Sequence, residues 1–211
     1  MPRQRFDRLS PEKREQILRA AGRLFAEHGY DGATVQVILK QAGISAGAAY
    51  YYFDNKADLF EAVVCFYVDA LLGPTARTPS IQDADSFWKA FLDSVEIALR
   101  QNYETHRVVA ALRRTWMMSR ELRERPVIEQ QFGRNEALLR DLVTTGRSVG
   151  AIRTDLPCDL LMRCVVALND AFDDWMADMP AETATAQVTH AIAAFRTFLA
   201  PQKTKSASTP E

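Results

Sequence analysis

The stretch that decides the fold covers residues 34–53 and reads TVQVILKQAGISAGAAYYYF. Its first half carries apolar residues at helical spacing and stops at Gly43, a residue type that readily takes the positive φ of a tight turn. Ser45 then provides the N-cap of a second helix, which we expect to end near Phe53. Two short helices joined by a tight glycine turn form a helix-turn-helix, so this stretch predicts that motif.

The same helical periodicity extends along the rest of the chain. Ser10 predicts the start of a helix that ends at His28 and Gly29, and Asn55 predicts the start of another, with Asp58 completing a capping-box variant. Five further helices are predicted at residues 83–100, 104–118, 120–149, 157–176 and 183–199. About nine helices in all, without alternation of strand type, indicate an all-α protein.

The composition is that of an ordinary globular chain. Hydrophobic residues make up 47% and charged residues 25% of the 211 residues, which excludes collagen-like and wholly disordered classes. Cys65, Cys158 and Cys164 cannot form a disulfide framework, so we expect free thiols in a reducing compartment. The apolar runs are too short to cross a bilayer and the N-terminus lacks a signal-peptide pattern. We therefore expect a cytoplasmic protein with no membrane partner.

Charge is distributed unevenly along the chain. Residues 1–56 carry nine Lys and Arg against six Asp and Glu, a net charge of +3, whereas residues 57–211 carry a net charge of −4. A basic head on an acidic body favours an anionic partner at one end of the molecule. A chance fluctuation in composition explains the same asymmetry, and charge alone does not separate the two interpretations.

Several motifs around the helix-turn-helix resemble the TetR-type family of bacterial transcriptional regulators. The motifs are residues 25–30 (FAEHGY), residues 32–34 (GAT), residues 42–45 (AGIS), Gly47, Tyr50-x-Tyr52-Phe53 and Asn55-Lys56-x-x-Leu59. The resemblance implies a homodimer that binds double-stranded operator DNA of palindromic sequence. It implies a DNA-binding helix-turn-helix domain at residues 1–56 and a larger helical ligand-binding and dimerisation domain at residues 57–200. Residues 201–211 are too polar to pack and predict a disordered tail.

The resemblance also assigns DNA contacts to individual positions. Contacts to phosphates fall on Thr34, Tyr50, Tyr52 and Lys56, and contacts to base edges fall on Ser45, Ala46, Gly47, Ala48 and Tyr51. Gln36 is a further candidate for base contact because its side chain is polar. Some of these positions have a structural alternative, because Tyr50 also suits the core, Tyr52 suits either role, and Ser45 is a helix cap with or without DNA. The sequence departs from the family at Ala46 and Ala48, where members often carry a lysine and a hydroxyl residue, so few polar groups remain to read bases.

The body shows no catalytic constellation, so we expect a binding protein and neither an enzyme nor a holder of metal or cofactor. Aromatic and polar residues at inward-facing helical positions predict a pocket for a small-molecule effector, and plain core packing is the alternative. The candidate pocket residues are Phe66, Phe91, Val95, Leu112, Trp116, Asn135, Leu138, Asn169, Phe172 and Asp173. If Asp173 lines the pocket, its carboxyl group favours a cationic hydrophobic ligand; the alternative places it at a subunit interface or in water.

The last two helices are predicted to form the dimer interface. The helix at residues 157–176 is apolar on two sides, and the helix at residues 183–199 adds small residues beside its apolar stripe, which allows close approach of helices. Together these features predict a ligand-responsive DNA-binding repressor that a small hydrophobic effector releases from its operator. The alternative is a helical dimer that binds a small molecule or a protein partner and no DNA.

Overall fold

The computed structural model describes residues 4–45, 49–73 and 81–202, and within these ranges the chain is helical and contains no strand. The helices are α1 (Gln4–Asp7), α2 (Pro11–Gly32), α3 (Val35–Gln41), α4 (Ala49–Tyr52), α5 (Lys56–Leu71), α6 (Ala84–Met118), α7 (Arg120–Arg123), α8 (Pro126–Ser148), α9 (Cys158–Ala177) and α10 (Ala181–Leu199). The all-α prediction is confirmed. None of the helices in the described ranges is long and apolar enough to cross a membrane.

Local capping explains where the helices of the head begin and end. The side chain of Ser10 accepts a hydrogen bond from the backbone N–H of Lys13, and that of Thr34 accepts one from the N–H of Val37. Gly43 takes a φ of 66°, as the tight turn after α3 requires. The Nζ of Lys13 donates to the carbonyl oxygen of Ala42 at 2.9 Å and so places a cation at the carboxyl end of α3.

The break predicted between the helices at residues 83–100 and 104–118 coincides with a kink inside α6, because the backbone at Asn102 (φ −135°, ψ 27°) is not helical. Elsewhere the structure departs from the predicted helices in two places. The segment predicted as one helix at residues 120–149 is divided into α7 and α8, because Pro126 lacks an N–H and begins a new helix at its first turn. The one-turn helix α1 precedes the first helix that the sequence predicts.

Buried apolar residues form two clusters. The first joins the head to α5 and to the adjoining ends of α6, α7 and α8, and includes Phe25, Phe53, Phe60 and Leu112. The second lies in the far half of the body, and its members come from α6, α8, α9 and α10 and from the turn after α8, at Ala151 and Ile152. The first cluster is continuous across the predicted domain boundary between residues 56 and 57, so that boundary stays a prediction. Of the predicted tail, only residues 201 and 202 are described.

A close contact between α2 and α5 holds the head against the body. A Cβ atom placed on Gly22 would overlap the ring of Tyr67, so α2 and α5 approach each other closely at this glycine. Tyr67 is 4% exposed, which leaves its ring little room to move. The head is therefore in direct contact with the body through α2 and α5.

Candidate nucleic-acid interface and effector site

Most of the predicted DNA contacts whose side chains the structure describes are exposed. Thr34, Gln36 and Ser45 are exposed, and Tyr51 is 48% exposed on α4. A cleft of about 460 Å³ lies between the start of α3 and the turn that precedes α5, and its lining includes Thr34, Gln36 and Lys56. The free N–H groups at a helix start suit a phosphate in such a cleft.

Several predicted contacts lie outside the described residues. Ala46, Gly47 and Ala48 fall there, and of Tyr50 only the backbone, within α4, is described. Tyr52 is half-buried and makes an edge contact with the ring of Phe6 at 6.4 Å between centroids. The ring of Tyr52 is therefore part of the packing of the head, as its structural alternative predicts.

Lys56 has an intramolecular role at the start of α5. Its Nζ donates to the carbonyl oxygen of Tyr30 at 2.6 Å and lies 4.2 Å from the centroid of the Tyr30 ring. This cation–π contact and hydrogen bond stabilise the turn before α3. An ammonium group has three donors, so contact with a phosphate stays a prediction for Lys56.

A buried ionic cluster joins α5 to the start of α8. The guanidinium of Arg125 donates to Asp58 Oδ1 at 2.8 Å, to Glu61 Oε2 at 3.2 Å and to Asn55 Oδ1 at 3.3 Å. Asp58 and Glu61 are each 5% exposed. Burial opposes ionisation of Asp58, but hydrogen bonds, including the one from Arg125, hold its pKa below the usual value. Sequence reasoning missed this cluster, since its members are far apart in the chain.

The predicted pocket residues do not form one cavity. Phe66, Leu112 and Trp116 pack in or against the first apolar cluster, whereas Phe91, Val95 and Phe172 pack against the second. Asn135 is partly buried on α8, and Leu138 is 44% exposed. The aromatic rings contact one another directly; Phe172, for example, lies 4.9 Å from Phe195 between centroids.

Polar groups are instead concentrated between α6 and α9. Asn169 Nδ2 donates to Asp173 Oδ2 at 2.9 Å, and Arg113 on α6 donates to Asp170 Oδ2 at 2.8 Å. His106 lines the same space of about 10 Å³ as Asp173, and its Nε2 is buried without a partner among the described residues. This space is about the size of one water molecule. We call this group of side chains the polar seam.

Burial shifts the pKa values of two groups in the polar seam. Burial lowers the pKa of His106 to about 4, so its ring is neutral at pH 7. Burial and the nearby Asp170 raise the pKa of Asp173 to about 7, although Arg113 acts in the opposite direction. A carboxyl group so placed is half protonated near neutral pH, and a cation beside it would favour its ionised form.

Apolar residues remain exposed on the outer side of α9. Leu160 is 45% exposed and Trp175 is 42% exposed, and between them Ala167 and Ala171 are exposed small residues. On α10 the exposed residues include Ala193. A stripe of this kind is typical of a helix that packs against another subunit. Within the described ranges, no cluster of histidine, cysteine and carboxylate side chains is suited to hold a metal ion.

Fold and site together define an all-helical protein with an amino-terminal helix-turn-helix. Residues 17–63 match the family model described as bacterial regulatory proteins, tetR family. By this match, the amino-terminal head of the chain is of the tetR type of bacterial regulatory proteins.

Curated relatives and solved structures agree with this assignment. The chain is 29% identical over 163 residues to the HTH-type transcriptional repressor AcnR of Corynebacterium glutamicum, covering 75% of this chain and 79% of AcnR. It is 24% identical over 159 residues to the HTH-type transcriptional repressor KstR2 of Mycolicibacterium smegmatis, covering 72% and 74% of the two chains. The structure of the ketosteroid transcriptional regulator KstR2 of Mycobacterium tuberculosis has a TM-score of 0.66 at 20% identity, covering 92% of this chain and 98% of that chain.

Proposed function

We propose that the protein is a repressor that binds operator DNA as a homodimer and leaves it when a small effector binds. The observation that supports this most is the exposure of Thr34, Gln36 and Tyr51 on a head that has a capped helix start at α3 and a glycine turn of helix-turn-helix type. Relatives that cover most of this chain are named as repressors. A repressor acts where the chromosome lies, so we place the protein in the bacterial cytoplasm.

DNA binding is tested by a gel shift with the DNA upstream of the protein's own gene. We expect a shifted band with this DNA at protein concentrations that leave a shuffled duplex of equal length unshifted. The variant Thr34→Val keeps the shape of the side chain and removes the hydroxyl, so it should weaken binding to both duplexes by a similar factor if Thr34 meets a phosphate. A protein that shifts neither duplex would support the helical dimer that binds no DNA.

The exposed stripe on α9 and the adjacent face of α10 supply the proposed dimer interface. Burying Leu160 and Trp175 removes apolar surface from water, and the small residues Ala167 and Ala171 allow the helix backbones of two subunits to approach closely. Sedimentation equilibrium should give a dimer for the wild type. Replacing Ala171 by Arg should produce monomers, whereas Arg163→Ala, on the same exposed side, should not.

The polar seam is the proposed effector site. The side chains of His106 and Asp173 face one small space from opposite helices, and the unpartnered Nε2 of His106 can accept a hydrogen bond. A ligand that enters must separate α6 from α9, because the present space is too small for it. An apolar compound with an amino group matches both groups, since the ammonium ion pairs with Asp173 and an N–H reaches His106.

Separation of α6 and α9 also explains how an effector would release DNA. The end of α6 leads through α7 to Arg125, which holds Asp58 and Glu61 on α5, and α5 is packed against α2 of the head. A shift of the start of α8 would therefore turn the head. By linkage, an effector that binds the turned state more tightly than the DNA-binding state weakens DNA binding. To change the ratio of the two states from 99:1 to 1:99, the effector must bind the turned state about 5.5 kcal/mol more tightly.

The effector chemistry is tested with a matched pair of ligands. A phenylalkylamine and the corresponding alcohol are compared for release of the protein from the upstream DNA, with the wild type, Asp173→Asn and Asp159→Asn. Asp159 is exposed on α9 and serves as the control for a general charge effect. The amine should act at lower concentration on the wild type and on Asp159→Asn, and Asp173→Asn should remove this advantage. Equal potency of both compounds on all three proteins would exclude Asp173 from the effector site.

A further inference from the structure

The recognition segment lacks a cation of its own. From Ser45 to Phe53 the chain contains no charged side chain. Base-reading helices commonly use Arg or Lys for guanine and for phosphates. If this segment reads an operator, a positive charge from a neighbouring element would add the charged donors that it lacks.

The short helix α1 is anchored beside that segment. Phe6 is 4% exposed, and its ring centroid lies 4.9 Å from that of Phe53, the last residue of the recognition segment. The backbone N–H of Leu9 donates to the carbonyl oxygen of Phe6 at 3.1 Å, which closes the turn after α1. This packing holds the amino-terminal arm, residues 4–9, against α4.

Anchoring of Phe6 places the neighbouring Arg5 on the recognition segment. The Cζ atom of Arg5 lies 4.4 Å from the centroid of the Tyr51 ring, and both side chains are exposed. No carboxylate among the described residues forms an ion pair with Arg5. A guanidinium stacked on an aromatic face keeps the N–H groups on its edge free to donate.

We propose that Arg5 and Tyr51 form one operator-reading unit, in which Arg5 supplies the positive charge that the recognition segment lacks. This proposal rests on the proposed function and adds a DNA contact outside the helix-turn-helix. The stacked guanidinium donates to DNA oxygen or nitrogen acceptors, either phosphate oxygens or the O6 and N7 atoms of guanine. Tyr51 orients the guanidinium, so the contribution of Arg5 to binding depends on the aromatic ring beneath it.

A double-mutant cycle tests this dependence. Dissociation constants for a labelled duplex of the upstream DNA are measured for the wild type, Arg5→Ala, Tyr51→Leu and the double variant. A second cycle uses Arg8→Ala in place of Arg5→Ala. Arg8 is exposed just after α1 and carries the same charge as Arg5. Thermal unfolding of each variant checks that the head remains folded. Arg5→Lys keeps the charge and loses the planar stacking group.

We expect Arg5→Ala to weaken binding at least tenfold in the wild type and less than threefold in Tyr51→Leu, whereas Arg8→Ala should have the same effect in both backgrounds. Arg5→Lys should recover only part of the loss. If binding by Arg5→Ala depends less on salt than binding by the wild type, the acceptor is phosphate. If the salt dependence is unchanged and the sequence preference is altered, the acceptor is guanine. Equal effects of Arg5→Ala in both backgrounds would overturn the proposal, and failure of the wild type to bind would overturn the proposed function instead.

Discussion

Removal of Arg125 should uncouple α5 from the start of α8. In the Arg125→Ala variant, Asp58 and Glu61 lose charge-assisted hydrogen bonds of 2.8 Å and 3.2 Å while each remains 5% exposed. Breaking a buried ion pair by removing one partner costs about 3–5 kcal/mol. The side chain of Arg125 is 22% exposed, so water can replace part of the hydrogen bonding that its guanidinium gives to the two carboxylates. We therefore expect Arg125→Ala to lower the free energy of unfolding by about 3 kcal/mol at pH 7, the lower end of this range.

The assay is urea unfolding at one protomer concentration, which keeps the contribution of assembly constant. The triple variant Arg125→Ala, Asp58→Asn, Glu61→Gln removes the buried charges as well and should recover most of the loss.

The pH dependence of the Arg125→Ala loss has a definite sign. In the wild type the pKa of Asp58 is held low, so its contribution to stability is present above its unfolded pKa and is lost as pH falls through the folded pKa. Without Arg125, Asp58 loses part of what lowers its pKa, so its carboxyl group binds a proton at higher pH. The difference between wild type and variant should thus shrink toward pH 4. A loss below about 1 kcal/mol, or one independent of pH, would refute the structural role assigned to Arg125.

Four further outcomes follow from the packing and charge of the molecule. Gly22→Ala should lower stability by about 1–3 kcal/mol in a thermal melt, because its Cβ atom would overlap the ring of Tyr67; a change within error would contradict the close contact. Leu39→Ala should cost about 2–5 kcal/mol by urea unfolding, since Leu39 is fully buried, whereas Val37→Ala, at 47% exposure, should cost little. Wild-type stability should fall relative to Asp173→Asn as pH rises through the pKa of Asp173, about 7, because its proton is bound more tightly in the folded state; parallel pH profiles would refute this. Affinity for the upstream DNA should fall steeply with added salt, as phosphate contacts require.

Local sequence patterns predicted the head well because its caps depend on residues close in the chain. Ser10 and Thr34 each cap a helix by accepting from an N–H three residues away. Gly43 takes the positive φ that the turn after α3 requires. Asn55 accepts from the N–H of Asp58 in the same way. Such interactions are fixed by spacing along one helix and need no knowledge of the fold.

The functional arrangement of the body was less predictable because its contacts join distant residues. Arg125 meets Asp58 across 67 positions, and Arg113 meets Asp170 across 57 positions. Helical periodicity shows that a residue faces inward, yet it does not show which other helix it meets. Phe66 and Phe172 are both on inner faces, as predicted, and nevertheless belong to different apolar clusters.

In the proposed function, two heads of a homodimer read a palindromic operator. In vitro selection of duplexes that bind the wild type, starting from a random pool, tests this proposal. Two identical heads require enriched sequences that are inverted repeats, with half-site centres about one helical turn, 10–10.5 base pairs, or a multiple of it apart. Enrichment of such a repeat, lost with a monomeric Ala171→Arg variant, is the expected result. Selection that enriches no sequence, or only a single unpaired half-site, would show that the protein does not read a palindrome as a dimer.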